Sequence, residues 1–229
     1  MDFAYLRQNI DTAKQRIEKA CQKSGRKGDD VRLVVVTKTH PAQTLQALID
    51  LGIRDIGENR VREIELKVPL LKGDFSLHMV GHLQTNKTAK VLPLVQWVQS
   101  IDSVRLAEKI NTILGQAPPR DKKLKALVEV NTSGEASKSG CPPHECHGLC
   151  EKVAAYSTME LHGLMTVGPL TGGEIATRKA FETLRKLGEQ CRRLTRGELS
   201  MGMSSDFDWA IEEGSTMVRI GSLILGNRP

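Results

Sequence analysis

The sequence predicts a single-domain α/β protein, a (β/α)8 barrel of the TIM type, on three observations. Eight short apolar runs alternate with helical segments along the chain, the pattern of parallel strands joined by crossover helices. No break in composition divides the 229 residues, so one barrel domain over residues 1–229, with an N-terminal helix, accounts for them. The turn after the first strand reads T-K-T-H-P and lacks the G-x-G-x-x-G that opens a doubly wound dinucleotide-binding sheet.

The first helix, 2–24, spaces Phe3, Leu6, Ile10 and Ile17 for one buried face. The run VRLVVVTK, 31–38, has no polar alternation, as a strand covered on both faces requires. Lys38 stands at its end, before a proline that stops the strand and opens a helix over 41–51, closed by Gly52. Strands two, three and four fall at 53–58, 76–82 and 96–102, with helical stretches at 61–71 and 103–114. Strand five, 123–131, opens into the polar loop T-S-G-E-A-S-K-S-G at 132–140. A helix over 142–157, strand six at 161–167 and a long amphipathic helix over 173–195 follow. Strand seven at 198–203, a short helix at 206–214 and strand eight at 215–221 complete the series, and the chain stops at Pro229 with no room for a second domain.

Composition removes several classes of function. No apolar run approaches the roughly 20 residues of a membrane helix, and the charged N-terminal helix lacks a signal peptide's apolar centre. Five cysteines, an odd number in a chain of this size, read as reduced thiols in a cytoplasm. The net charge of +6 permits an anionic partner, but aromatics at 3% leave few stacking platforms for nucleic acid. Clusters such as RRLTR at 192–196 read as solvated helix faces.

In parallel barrels the C-terminal strand ends carry the chemistry. A lysine there, with an apolar wall behind it, is a nucleophile toward carbonyls. Lys38 is that lysine. Barrels bind phosphate in the loops after strands seven and eight, where M-S-S-D at 203–206 offers Ser204 as a hydroxyl or helix cap and Gly221-Ser222 offers open amides. With Arg219 between them, these residues point to pyridoxal phosphate, a lysine for its aldehyde and an arginine for its pyridine nitrogen.

The chain resembles the pyridoxal phosphate homeostasis protein family, small relatives of the alanine racemase barrel. The matching segments are VVVTKTHP around Lys38, IGENRVRE at 56–63, HMVGHLQTNK at 78–87, VNTSGEASKSG at 130–140, HGLMTVG at 162–168 and LSMGMSSDFDWAIEEGSTMVRIGSLILG at 199–226. Leu77 and Leu225 stand where such sequences often carry aromatics, a departure expected to touch packing rather than the site. The resemblance implies a fold type III pyridoxal 5'-phosphate protein without a C-terminal β-domain. It implies that Lys38 holds the cofactor as an internal aldimine, Arg219 contacts the ring nitrogen and Asn59 lies near the ring. Met203, Ser204, Gly221 and Ser222 complete the cofactor set; no catalytic residue and no metal is assigned. The implied role is homeostasis of the cofactor, buffering it or delivering it to apoenzymes and so influencing amino-acid metabolism, by a cytoplasmic monomer with no nucleic-acid or membrane partner.

The rival expectation is a monomeric amino-acid racemase. Related racemases bring a tyrosine from an added domain of a partner subunit, whereas Tyr5 and Tyr156 lie here on predicted helices outside the site. CPPHECHGLC at 141–150 lacks a C-x2-C pair and reads as thiols on a helix. His78 and His82 are expected on one side of strand three, with Met165 and Met201 filling the barrel. Lys138, on a loop expected to be mobile over the mouth, is placed to pass the aldehyde to or from Lys38.

Overall fold

The computed structural model describes residues 3–226. A first helix, α1 (Ala4–Lys23), precedes the barrel and buries Leu6, Ile10, Ala13 and Ile17 along one face. The eight strands are β1 (Arg32–Val36), β2 (Asp55–Glu58), β3 (Ser76–Met79), β4 (Trp97–Ile101), β5 (Leu124–Glu129), β6 (Met159–Met165), β7 (Glu198–Ser200) and β8 (Met217–Ile220). They pair in parallel in sequence order and close, β8 against β1, into a barrel. Between them lie α2 (Ala42–Asp50), α3 (Val61–Lys67), α4 (Thr88–Val91), α5 (Val104–Gln116), α6 (Cys146–Ala154), α7 (Gly173–Gln190) and α8 (Phe207–Glu212), and α9 (Ser222–Leu225) follows β8. This is the single-domain (β/α)8 architecture that the alternation predicts.

The strands are shorter than their apolar runs. β1 ends at Val36, so Lys38 lies in a turn beyond it rather than on the strand, and β3 ends at Met79, which leaves His82 in a loop. The predicted helix over 142–157 begins as a single 3-10 turn and is α-helical only over Cys146–Ala154, and the long helix stops at Gln190. Apolar character continues past the last ladder bond because strand-end loops fold over the same buried surface.

Alternation along each strand sorts side chains into two layers. Outward residues such as Val35, Ile56, Val98 and Val218 pack under the helices in the main core. Inward residues Val34, Trp97, Leu127, Met165 and Met217 form a second, small apolar cluster inside the barrel. The rest of the interior is polar, with His78, Gln99, Ser200 and Arg219 all buried. No described helix is long and apolar enough to cross a membrane.

Candidate functional site

A cavity of about 400 Å³ opens at the C-terminal mouth of the barrel, within the size range of small-molecule sites. Lys38, Asn59, Met203, Ser204, Arg219, Gly221 and Ser222 all line it, the full set of residues proposed from sequence. Val36, His40, Val167 and Leu225 supply further wall. Leu225 is therefore part of the site, against the expectation that its departure concerned packing alone. A larger groove of about 660 Å³ runs beside the mouth past His82 and Asp102, but it is shallow, and Lys38 and Arg219 do not reach it. His82 lies there, half exposed and paired with Asp102 at 3.1 Å, while His78 is buried inside the barrel; the two do not share a face.

The turn carrying Lys38 is held from behind. Thr37 continues the strand alternation outward, and its Oγ1 donates to Glu58 Oε1 at 2.7 Å. Lys67, on α3 and 8% exposed, donates through Nζ to Glu58 Oε1 and Glu63 Oε2, each at 2.7 Å, and to the Thr37 carbonyl at 3.2 Å. Burial pushes the Glu58 carboxyl up, and the Lys67 ammonium and Thr37 hydroxyl pull against it. Glu63 also accepts from the backbone N–H of Thr39 at 2.7 Å. Thr39 has φ +70°, the one positive φ among the described non-glycine residues. A β-branched residue in that region costs about 1–2 kcal/mol, and the carboxylate that captures its amide keeps it there.

Arg219, 5% exposed, projects inward from β8. One terminal nitrogen donates to Ser200 Oγ and the other to the Thr166 carbonyl, both at 2.7 Å, leaving other guanidinium N–H donors for the cavity. Burial lowers its pKa to about 10, with Glu129 and Asp206 opposing, so it stays charged near neutrality. Below it a chain of hydrogen bonds descends through the barrel. Ser200 Oγ donates to Gln99 Oε1 at 2.7 Å, so the Gln99 amide nitrogen donates to His78 Nδ1 at 2.8 Å. That leaves His78 Nε2 carrying the proton it gives to Asp55 Oδ1 at 2.9 Å. Burial pulls the His78 pKa down while Asp55 pulls it up, the balance lying below the ordinary value, and Trp97 stacks on the ring with centroids 5.0 Å apart. Asp55 lies below the usual carboxylate range: burial works against ionisation, but the His78 hydrogen bond and Arg32 outweigh it.

Across the mouth, Ser204 Oγ accepts from the backbone N–H of Gly221 at 3.2 Å and of Leu223 at 3.4 Å. It is not the cap of α8; Asp206 holds that position and accepts from the Met203 amide at 2.6 Å. A Cβ on Gly221 would stand 3.0 Å from the Val36 carbonyl oxygen, so glycine keeps these amides close to the mouth. Gly81 does the same for Asn59, whose carbonyl oxygen would lie 2.3 Å from a Cβ there. Lys138 does not line the cavity. Its Nζ donates to the Gly168 carbonyl and to Val167 O at 3.5 Å, and pairs with Glu135 at 3.5 Å. Its loop is tied down by Asn131, which bonds the Glu135 carbonyl at 2.9 Å, and by Glu135, which accepts from Leu170 N at 3.0 Å. The loop expected to be mobile is joined by these bonds to the segment after β6.

Sequence reading overlooked the support of these residues more than the residues themselves. Glu129, 6% exposed with Oε2 lacking a hydrogen-bond partner, sits at the end of β5 near Arg219; burial raises its pKa to about 7. A lone acidic residue closing an apolar strand is the signal that marks it. Ser200 and Lys67 carry no such mark beyond an ordinary strand serine and an i,i+4 Glu-Lys pair.

The model of the alanine racemase N-terminal domain family matches residues 2–229. The pyridoxal phosphate homeostasis protein of Pseudomonas aeruginosa is 37% identical over 97% of this chain and 96% of its own, and that of Bos taurus is 41% identical over 86% and 77%. Among solved structures, a protein from Bifidobacterium adolescentis superposes with a TM-score of 0.90 at 36% identity, covering 98% and 97% of the two chains. The structure of PipY from Synechococcus elongatus with PLP bound gives 0.79 at 30% identity, covering 92% and 100%. Alanine racemase from Clostridium difficile, at 15% identity and TM-score 0.76, shares the fold over 57% of its length. Within the barrel class that the family model defines, the chain belongs to the pyridoxal phosphate homeostasis protein family.

Proposed function

We propose that this protein binds pyridoxal 5'-phosphate in the mouth cavity, holds it through Lys38, and buffers or delivers it. The observation that carries the reading is the convergence of Lys38, Arg219, Ser204, Gly221 and Ser222 on one cavity of about 400 Å³. The residues fit the group. Ser204 Oγ gathers the amides of Gly221 and Leu223 at the mouth, where a phosphate oxygen could take its place as their acceptor, and Arg219 has donors to spare for a ring nitrogen. Bound there, the cofactor supplies an aldehyde for the Lys38 amine and a pyridine for Arg219.

Arg219 keeps its proton and offers it as a hydrogen-bond donor, so a pyridine nitrogen held against it would stay unprotonated and be a weak electron sink. That disfavours chemistry needing a stabilised carbanion. Tyr5 is exposed on α1 and Tyr156 lies just beyond α6, so neither lines the cavity to act as a second base. These features support a carrier that acts in cofactor homeostasis and influences amino-acid metabolism over the racemase reading. Apoenzymes that use the cofactor are its recipients. The protein acts as a monomer in this reading, and five free, buried thiols support a reducing, cytoplasmic setting.

Borohydride reduction of the holoprotein followed by peptide mass spectrometry should place the cofactor's added mass on Lys38. Lys38→Ala should lose both the adduct and the visible absorbance. An adduct at wild-type level in Lys38→Ala overturns the assignment, and rapid racemisation of an amino acid by holoprotein favours the enzyme.

A further inference from the structure

Four of the chain's five cysteines meet at one place, outside the barrel and apart from the mouth cavity. Cys141 closes the loop after β5, fixed by its N–H to the Glu129 carbonyl and by its carbonyl to the Asn131 N–H, each at 2.9 Å. Cys146 opens α6, and Cys150 follows one turn later on the same buried face. Cys191 ends α7. The Sγ atoms of Cys146, Cys150 and Cys191 lie within 4.8 Å of one another, and Cys141 is a neighbour of Cys146 beside them. All four are buried, whereas the fifth, Cys21, lies apart on α1.

We propose that Cys141, Cys146, Cys150 and Cys191 form a tetrathiolate site for a zinc ion. Four sulfurs around zinc at about 2.3 Å stand roughly 3.8 Å apart, so the Cys146, Cys150 and Cys191 sulfurs need to draw together by about 1 Å at most, and the Cys141 loop moves in to supply the fourth. The donor set is all sulfur and closed to solvent, which suits a structural zinc ion and gives magnesium or calcium nothing to bind. Three independent segments deliver the ligands: a strand-end loop, one helix face and the end of another helix. Cysteines used only as small apolar filler have no need to touch one another across three segments. The spacing hid the site, because C-x4-C-x3-C contains no C-x2-C pair and the fourth ligand lies far downstream.

The chemistry balances as an exchange of protons for metal. Without metal the four cysteines are free thiols. One Zn2+ displaces four thiol protons to solvent, forming four Zn–S bonds and leaving a doubly negative centre. The site would pin α6 to α7 and fix the far end of the 131–140 loop, whose Lys138 bonds the carbonyls of Val167 and Gly168 beside the mouth.

Protein produced in zinc-supplemented medium should contain about one zinc per chain by elemental analysis, the stoichiometry of a closed structural site. Cys150→Ser and Cys191→Ser should lower that content about tenfold or more, whereas Cys21→Ser should not. Replacing zinc with cobalt should give intense thiolate charge-transfer bands and the d–d bands of a tetrahedral sulfur site in the unmodified protein, a readout independent of whether variants fold. Chelation should lower the melting temperature of wild type. Protein that holds no zinc and gives no cobalt bands, whether its thiols titrate as free or as a disulfide, overturns the proposal.

Discussion

Glu129 is a carboxyl whose charge the fold resists. Burial raises its pKa from 4.5 to about 7, Asp102 adds to the rise and Arg219 opposes it. The folded protein therefore keeps a proton that the unfolded chain has already released between those values, and stability falls as pH rises through that window. Glutamine at this position carries no such penalty. Measured on cofactor-free protein by denaturant unfolding, Glu129→Gln should gain on wild type by ~2 kcal/mol between pH 5 and pH 8. A difference that stays flat over that range would mean that Glu129 is ionised throughout. Residues of this kind explain what sequence conveys at the smallest scale. Lys38 and Arg219 are legible because their types are rare at apolar strand ends. Glu129 and Ser200 are not, because their importance lies in which neighbours the barrel's curvature brings to them.

At the scale of the element, α3 works as a clamp on the turn after β1. Its Lys67 joins Glu58, Glu63 and the Thr37 carbonyl, and Glu63 in turn captures the strained Thr39 amide. Removing one partner of a buried pair strands the other charge. Lys67→Met should cost ~3–5 kcal/mol in urea unfolding, and the double variant Glu58→Gln/Lys67→Met should recover most of that loss. Equal losses in single and double variants would place the cost in packing of the lysine stem. The order and type of the strands were readable from alternating apolar runs, but their ends were not. Thr37 and Lys38 look like strand residues because they extend β-branched and inward-outward patterning, and only pairing of Thr37 N to the Gly57 carbonyl, with no regular ladder beyond it, ends the strand.

For the whole molecule, α1 is the brace of the half-barrel that carries Ser204, Gly221 and Ser222. Its apolar face packs into the main core, and its polar face reaches α8 and α9. Arg16 pairs with Asp208 and stacks over Phe207, Lys23 meets Glu212 at 3.1 Å, and Asn9 donates to the Ile224 carbonyl at 2.9 Å. Deleting residues 1–24 should lower the melting temperature and weaken cofactor retention together, read by calorimetry and by visible absorbance after dialysis. Retention unchanged in a destabilised truncation would confine the helix to a packing role. The sequence announced α1 through its periodicity but not its place, since closure of β8 on β1 decides which helices it covers.

The interior chain from Arg219 to Asp55 has a direction. Each donor faces the next acceptor, from guanidinium through hydroxyl, amide and imidazole to carboxylate. Turning the Gln99 amide over would oblige His78 to move its proton to Nδ1 and leave a bare ring nitrogen against a carboxylate. One arrangement is therefore selected out of many. The floor of the barrel, where Arg32 and Asp55 meet, is thus read at the mouth as an orientation: the pose of Arg219 is inherited from a carboxylate on the far side of the molecule.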